Sequence, residues 1–319
     1  MLNSCRERNT ICLIFFILTS FLVFSPNAWA STKYSQENPN SMNKSKTIER
    51  ISSNDTNLRI YTSFYPLYDF VKKIGKDKVD VSTIVPMSVE PHDFDPTPKQ
   101  IIDLQQADLV FINGAGFEKW ISKITNPNIV DLSKKISIEK IGTNSNPHIW
   151  LDPLLVKTMA SIIFNNLVTL DPKNVAYYQA NLKEFDSKLE ELNSNIINNL
   201  TICPSKDFIA FHDAFGYFSK RYGLIQHAIN GLSPELDMNP QRISQTIELA
   251  EKLGITTIFS EDNIDPRLAQ TVSEEIGGQV LILSPIEMIS QKELDLKKDY
   301  FSKMYDNLNS LKVALGCKE

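Results

Sequence analysis

The chain has 319 residues and carries 38 acidic against 33 basic side chains, a net charge of −5 with a pI near 5.5. So acidic a surface does not suit nucleic acid, and the length is enough for two modest lobes or one large domain. Glycine is scarce at 11 residues, and no Walker A loop, Gly-x-Gly-x-x-Gly, His-Glu-x-x-His or Gly-x-Ser-x-Gly stands in the sequence, which removes the commonest nucleotide, zinc-protease and hydrolase signatures.

Taken in chain order, residues 1–30 read as a signal peptide. Arg6 and Arg8 precede an apolar run from Ile11 to Phe24, and Ala28-Trp29-Ala30 offers a small-residue site, so cleavage after Ala30 is expected. The run is short for a membrane span, and no cysteine follows it to take a lipid. The expected location is therefore the periplasm of a two-membrane bacterium. Residues 31–57 are polar and poor in aromatics and read as a disordered lead-in.

Short β-rich segments then alternate with helical patterns, first at Leu58 to Thr62, Val79 to Val85, Ala107 to Ile112 and Asn128 to Leu132. A second set follows at Asp207 to Phe211, Leu224 to Ile229, Thr256 to Phe259 and Gln279 to Leu283, with helical stretches at Pro240 to Leu253 and Asp265 to Ile276. This alternation predicts an α/β fold of two lobes with parallel sheets. Between the sets, Asp171 as N-cap and Pro172 at the first helical position open a helix that runs to about Leu200. Tyr178, Leu182, Phe185, Leu189, Leu192 and Ile196 form its apolar stripe. At about 1.5 Å per residue it is a rod of roughly 43 Å, a stiff connector between the lobes. A coiled-coil partner helix is the alternative.

Once the leader is gone, Cys203 and Cys317 remain. An oxidising compartment favours a disulfide between them, and two unpaired thiols are the alternative, because sequence does not show proximity.

Three of the four histidines sit in elbows rich in proline and aspartate: Glu90-Pro91-His92-Asp93, Pro147-His148-Ile149-Trp150-Leu151-Asp152-Pro153 and Phe211-His212-Asp213-Ala214. Each lies at or just beyond a strand-like segment or at a helix start, and open α/β sheets gather ligands beyond the carboxyl ends of their strands. Singly, each is an ordinary residue; together, three imidazoles make a transition-metal site with zinc as first candidate. Asp93, Asp95, Asp152 and Asp213 stand close by in sequence and are candidates to accept a second ring proton. Asp152 before Pro153, and Thr97 before Pro98, read instead as helix caps. His227 lies inside an apolar strand without an elbow and reads as structural.

These segments, with Thr62-Ser63-Phe64-Tyr65-Pro66-Leu67-Tyr68-Asp69, Ala107-Asp108-Leu109-Val110 through Gly116-Phe117-Glu118-Lys119-Trp120, His212-Asp213-Ala214-Phe215-Gly216-Tyr217-Phe218 and Gly231-Leu232-Ser233-Pro234-Glu235, resemble the metal-binding substrate-binding proteins of bacterial ABC importers, which capture zinc or manganese. The resemblance implies two α/β lobes bridged by one long helix, with the metal between them. Residues 58–170 would be the N-terminal metal-binding lobe, 171–201 the linking helix and 202–319 the C-terminal metal-binding lobe. His92 and His148 would come from the first lobe and His212 from the second. Manganese binders of the family usually carry a glutamate at the position of His212, so a third imidazole favours zinc.

The chain departs from the family at the fourth position. Family members often carry an aspartate where this sequence reads Leu283-Ser284-Pro285-Ile286-Glu287. The Ser284 hydroxyl is a poor zinc ligand and the Glu287 carboxylate an ordinary one, so Glu287 is the favoured fourth ligand, with a water, Glu261 or Glu90 as alternatives. The histidine-rich loop of many zinc binders is missing, its place between Trp120 and Pro147 being rich in Asn and Ser.

The resulting expectation is a periplasmic high-affinity zinc receptor that works as a monomer and delivers Zn2+ to an ABC permease in the inner membrane. It has no nucleic-acid partner and catalyses nothing. The alternatives are a manganese (Mn2+) receptor of the same family, a three-histidine zinc enzyme, and an adhesin on the same scaffold.

Overall fold

The computed structural model describes residues 57–126, 128–234, 240–262 and 264–318. The expected signal peptide over 1–30, and the lead-in over 31–57 apart from Asn57, lie outside the described residues, as does Glu235 of the Gly-Leu-Ser-Pro-Glu segment.

In chain order the elements are β1 (Leu58–Thr62), α1 (Tyr65–Gly75), β2 (Val79–Thr83), α2 (Pro98–Gln105), β3 (Leu109–Ile112), β4 (Ile129–Asp131), a two-strand hairpin of β5 (Lys140–Ile141) and β6 (Asn144–Ser145), α3 (Pro153–Leu170) and α4 (Val175–Leu200). There follow β7 (Asp207–Ala210), α5 (Gly216–Tyr222), β8 (Ile225–Ala228), α6 (Pro240–Leu253), β9 (Thr257–Ser260), α7 (Arg267–Glu275), β10 (Gln279–Ile282), α8 (Gln291–Asp295) and α9 (Tyr300–Ala314). All eight β-rich segments expected from sequence are strands: β1 has its expected bounds, β9 is shifted by one residue and the other six are trimmed at their ends, while the hairpin β5–β6 was not expected. Its strands are only two residues long, too short to show a period.

The strands form two four-stranded parallel sheets of the same pattern, β2-β1-β3-β4 and β10-β9-β7-β8. In each, the first strand pairs with the second on one side and the third on the other, so the order reverses between β1 and β3 and between β7 and β9. A crevice opens at such a reversal, beyond the carboxyl ends of the strands. The sequence builds these ends cheaply: β3 and β9 are buried along their whole length, as central strands covered on both faces must be.

α3 leads into the long helix α4, which joins the lobes. Asp152 caps α3, its carboxylate accepting from the N–H of Leu154 at 2.9 Å with Pro153 in the first turn, and Thr97 caps α2 in a reciprocal pair with Gln100. The expected start of the long helix needs correction. Pro172–Asn174 is a separate 3₁₀ turn, and α4 begins at Val175. The Asp171 carboxylate accepts no capping bond from the backbone; it accepts instead from Asn174 Nδ2 at 2.6 Å and from the Tyr178 hydroxyl at 2.7 Å, a side-chain clamp between the end of α3 and the start of α4. The helix is thus 26 residues, about 39 Å at 1.5 Å per residue.

Its stripe of Tyr178, Leu182, Phe185, Leu189, Leu192 and Ile196 is buried throughout. α4 packs along α3 and α1 at one end and against α9 and α5 at the other. One hydrophobic core consequently runs from Ile60 and Phe111 under the first sheet, along α4, to Phe208 and Phe259 under the second. Two smaller clusters line the outer sheet faces, around Val110 and Ile112 in one lobe and Ile209 and Ile258 in the other. Near the start of the second lobe, Cys203 is disulfide-bonded to Cys317 beyond α9.

Candidate metal centre

His92 lies in the loop after β2, and His148 between β6 and α3. His212 follows β7 directly, and Glu287 lies in the loop after β10. These four converge, with one donor atom of each lying within 4.8 Å of the others and all four residues buried. Glu287 Oε1 stands 3.1 Å from His92 Nε2, 3.3 Å from His148 Nε2 and 3.6 Å from His212 Nε2, while the last two nitrogens are 3.2 Å apart. Ligands at about 2.0–2.1 Å from a tetrahedral zinc are separated by about 3.3–3.4 Å, and these four separations lie close to that edge length.

The backbone of each histidine is held in the same way. A side-chain oxygen accepts its N–H: Glu90 Oε1 for His92 at 2.6 Å, Asn146 Oδ1 for His148 at 3.1 Å and Glu261 Oε1 for His212 at 3.2 Å. For two of them the same oxygen also takes ring Nδ1, at 2.8 Å from Asn146 and 2.6 Å from Glu261. Because those oxygens act as acceptors, Nδ1 of each ring carries a proton and Nε2 is the atom that faces the centre, the orientation a metal needs.

The acids nearest in sequence take other partners. Asp152 caps α3 and pairs with Arg221 of α5, Asp93 with Lys119 at 2.6 Å and Asp95 with Lys123 at 2.6 Å, and Asp213 accepts from Gln226 at 2.7 Å. The oxygens on Nδ1 of His148 and His212 come from Asn146 and Glu261 instead. Two of the backbone partners share a signal that sequence reading did not use: an oxygen side chain two residues before the histidine, as in Glu90-Pro91-His92 and Asn146-Pro147-His148. Glu261 had no such signal. It reaches His212 because β7 and β9 are neighbours in the sheet.

Electrostatics fit a cation. Burial pulls the His148 imidazole down to about 3, against the opposing pull of Glu287, so its ring is neutral. Burial also opposes charge on His212, but Glu261 and then Glu287 outweigh it and hold the ring well above the usual imidazole range. Glu287 is likewise penalised by burial, and the facing imidazoles of His92, His148 and His212 outweigh that, holding its carboxyl well below the usual range. A buried carboxylate facing three imidazoles is a charge arrangement that a metal cation would complete.

Of the remaining candidates, Ser284 and Glu261 are not in the donor set: the Ser284 hydroxyl accepts from Ile286 N, and Glu261 serves His212 from behind. Glu90 is pushed up to about 7, by burial first and then by the facing Glu287. His227 sits on β8 and pairs with Asp207 at 2.8 Å, away from the centre. The wall beside the site is aromatic: Phe117 meets His92 edge-on at 4.9 Å between centroids, and Trp150 lies 5.1 Å from His148.

Two parallel α/β lobes around one long helix, with a buried donor set between them, define a metal-capturing binding protein. The zinc-uptake complex component A (ZnuA, periplasmic) family model matches residues 60–314, and the chain belongs to that family. It is 33% identical over 295 residues to the high-affinity zinc uptake system protein ZnuA of Bacillus subtilis, covering 86% of this chain and 92% of that one. It is 30% identical to the zinc-binding protein AdcA of Streptococcus pyogenes serotype M6 over 81% of this chain, and spans 56% of the length of that longer relative. Among solved structures, the Zn(II)-bound ZnuA-like domain of Streptococcus pneumoniae AdcA matches with a TM-score of 0.75 at 28% identity, over 82% of this chain and 99% of that one.

Proposed function

We propose that the chain captures one zinc ion between its lobes with His92, His148, His212 and Glu287, and delivers it to an ABC permease in the inner membrane. The observation that carries this reading is the convergence of four buried donor atoms within 4.8 Å of one another, with Glu287 3.1–3.6 Å from all three imidazole nitrogens. Three imidazoles and one carboxylate oxygen suit zinc better than manganese, which prefers oxygen-rich, larger coordination shells. A zinc enzyme keeps one position open for water or substrate, whereas here Glu287 takes the fourth corner and the donors are shut away from solvent. In this reading residues 58–170 and 202–319 are the two metal-binding lobes and 171–201 the link. The leader over 1–30, cleaved after Ala30, sends the protein to the periplasm, where it acts as a monomer.

Titration of the metal-free protein at about pH 7.5, in competition with a chromophoric chelator, tests the choice of ion. One zinc per chain should bind, and manganese should compete poorly even at about 100-fold excess. Equal or tighter manganese binding would favour the manganese receptor; ester or carbon dioxide turnover lost in His212→Ala would favour the enzyme.

A further inference from the structure

The fourth ligand rides on a loop, residues 283–289, that is buried throughout and packs Leu283, Ile286 and Ile289 into the main core. A cleft of about 300 Å³ opens on the far side, lined by Ser284, Lys303, Asn307 and Ser310 among others. Hydrogen bonds to the backbone of the loop then shape the turn that carries the Glu287 carboxylate. The Asn307 amide, on α9 and 3% exposed, clamps Ser284 from both sides: its Oδ1 accepts from Ser284 N at 2.8 Å and its Nδ2 donates to Ser284 O at 2.7 Å. Ser284 Oγ in turn accepts from Ile286 N at 3.1 Å. Ile286 has φ +59°, a left-handed conformation that a β-branched residue adopts only when its surroundings impose it. Trp150 Nε1 closes the turn by donating to Pro285 O at 2.7 Å.

We infer that Asn307 is the positioning residue of the fourth ligand: its two-sided clamp on Ser284 holds the strained turn that aims the Glu287 carboxylate at the three imidazoles. Asn307 touches no metal and acts only through Glu287. Its contribution to zinc binding should therefore vanish when Glu287 is gone. The inference rests on the proposed donor set, and the test below separates the two.

Zinc affinity is measured by chelator competition on wild type, Asn307→Ala, Glu287→Ala and the double variant, with cobalt(II) visible absorption as a report on coordination geometry and the melting temperature of each metal-free protein as a report on the fold. Removing an outer partner of a metal ligand commonly weakens binding by about 10–100-fold. Asn307→Ala should lose that much and lose intensity in the tetrahedral cobalt bands, yet change affinity less than about twofold in the Glu287→Ala background. Ser284→Ala, which removes only the hydroxyl under Ile286 and leaves the amide clamp, should show a smaller loss with the same dependence on Glu287; it carries the test if Asn307→Ala does not fold. An equal loss in both backgrounds, or wild-type affinity and spectrum in the single variant, would overturn the positioning role. Unchanged zinc affinity in Glu287→Ala would instead overturn the fourth ligand itself.

Discussion

Glu118 is 5% exposed, and its two carboxylate oxygens accept from the backbone N–H of Asn113 at 2.7 Å and of Gly114 at 3.0 Å. Asn113 Nδ2 then donates to Pro147 O at 2.9 Å, so this one acid braces the chain immediately before His148. Burial pushes Glu118 up to about 7, against the pull of those hydrogen bonds. The folded protein thus holds the Glu118 proton more tightly than the unfolded chain, whose glutamate titrates near the ordinary value of about 4.3. The resulting stability is complete below that value and is lost as pH rises through about 7. Melting temperatures of metal-free wild type and Glu118→Gln, compared from about pH 4.5 to 7.5, should shift in favour of the variant as pH rises; a constant difference would contradict the assignment. Histidines 92, 148 and 212 were legible because proline and aspartate mark their elbows. Glu261 behind His212 and Asn307 behind the Glu287 loop were not: each reaches its target only through sheet neighbours or a helix distant in sequence.

Among the elements, the strands were the most legible, because both sheets use short apolar runs bounded by turn residues and those signals are local. The start of α4 was misjudged for an equally local reason. Asp-Pro is a strong helix opening, but the Asp171 carboxylate is taken by Asn174 and Tyr178, and the turn tightens to 3₁₀ before the α-helix begins. The stripe further along left no such ambiguity. Leu189, fully buried between the lobes, should cost about 2–5 kcal/mol on change to alanine. Its neighbour Glu190, half exposed in an ion pair with Lys157, should cost less than about 1 kcal/mol on the same change. Urea unfolding of the metal-free proteins gives both numbers; a Leu189→Ala loss as small as that of Glu190→Ala would mean that α4 is no structural spine.

For the whole molecule, the candidate metal centre lies where the two lobes are already joined. Trp150 of the first lobe donates to Pro285 of the second and accepts from the Tyr300 hydroxyl at 2.8 Å, Ile289 N reaches Met87 O at 2.7 Å, and Arg221 pairs with Asp152. Lys73 of α1 meets Asp299 at 2.7 Å on the far side. A chain with two sheets of the same strand order, one core and one spine therefore presents ligands from both halves to a single point, which no one segment of sequence could show. Native mass spectrometry with metal analysis on zinc-loaded protein tests that convergence most directly. Wild type and His227→Ala should each carry one zinc, and His92→Ala, His148→Ala and His212→Ala should each lose it; zinc retained in all three elbow variants would contradict the site.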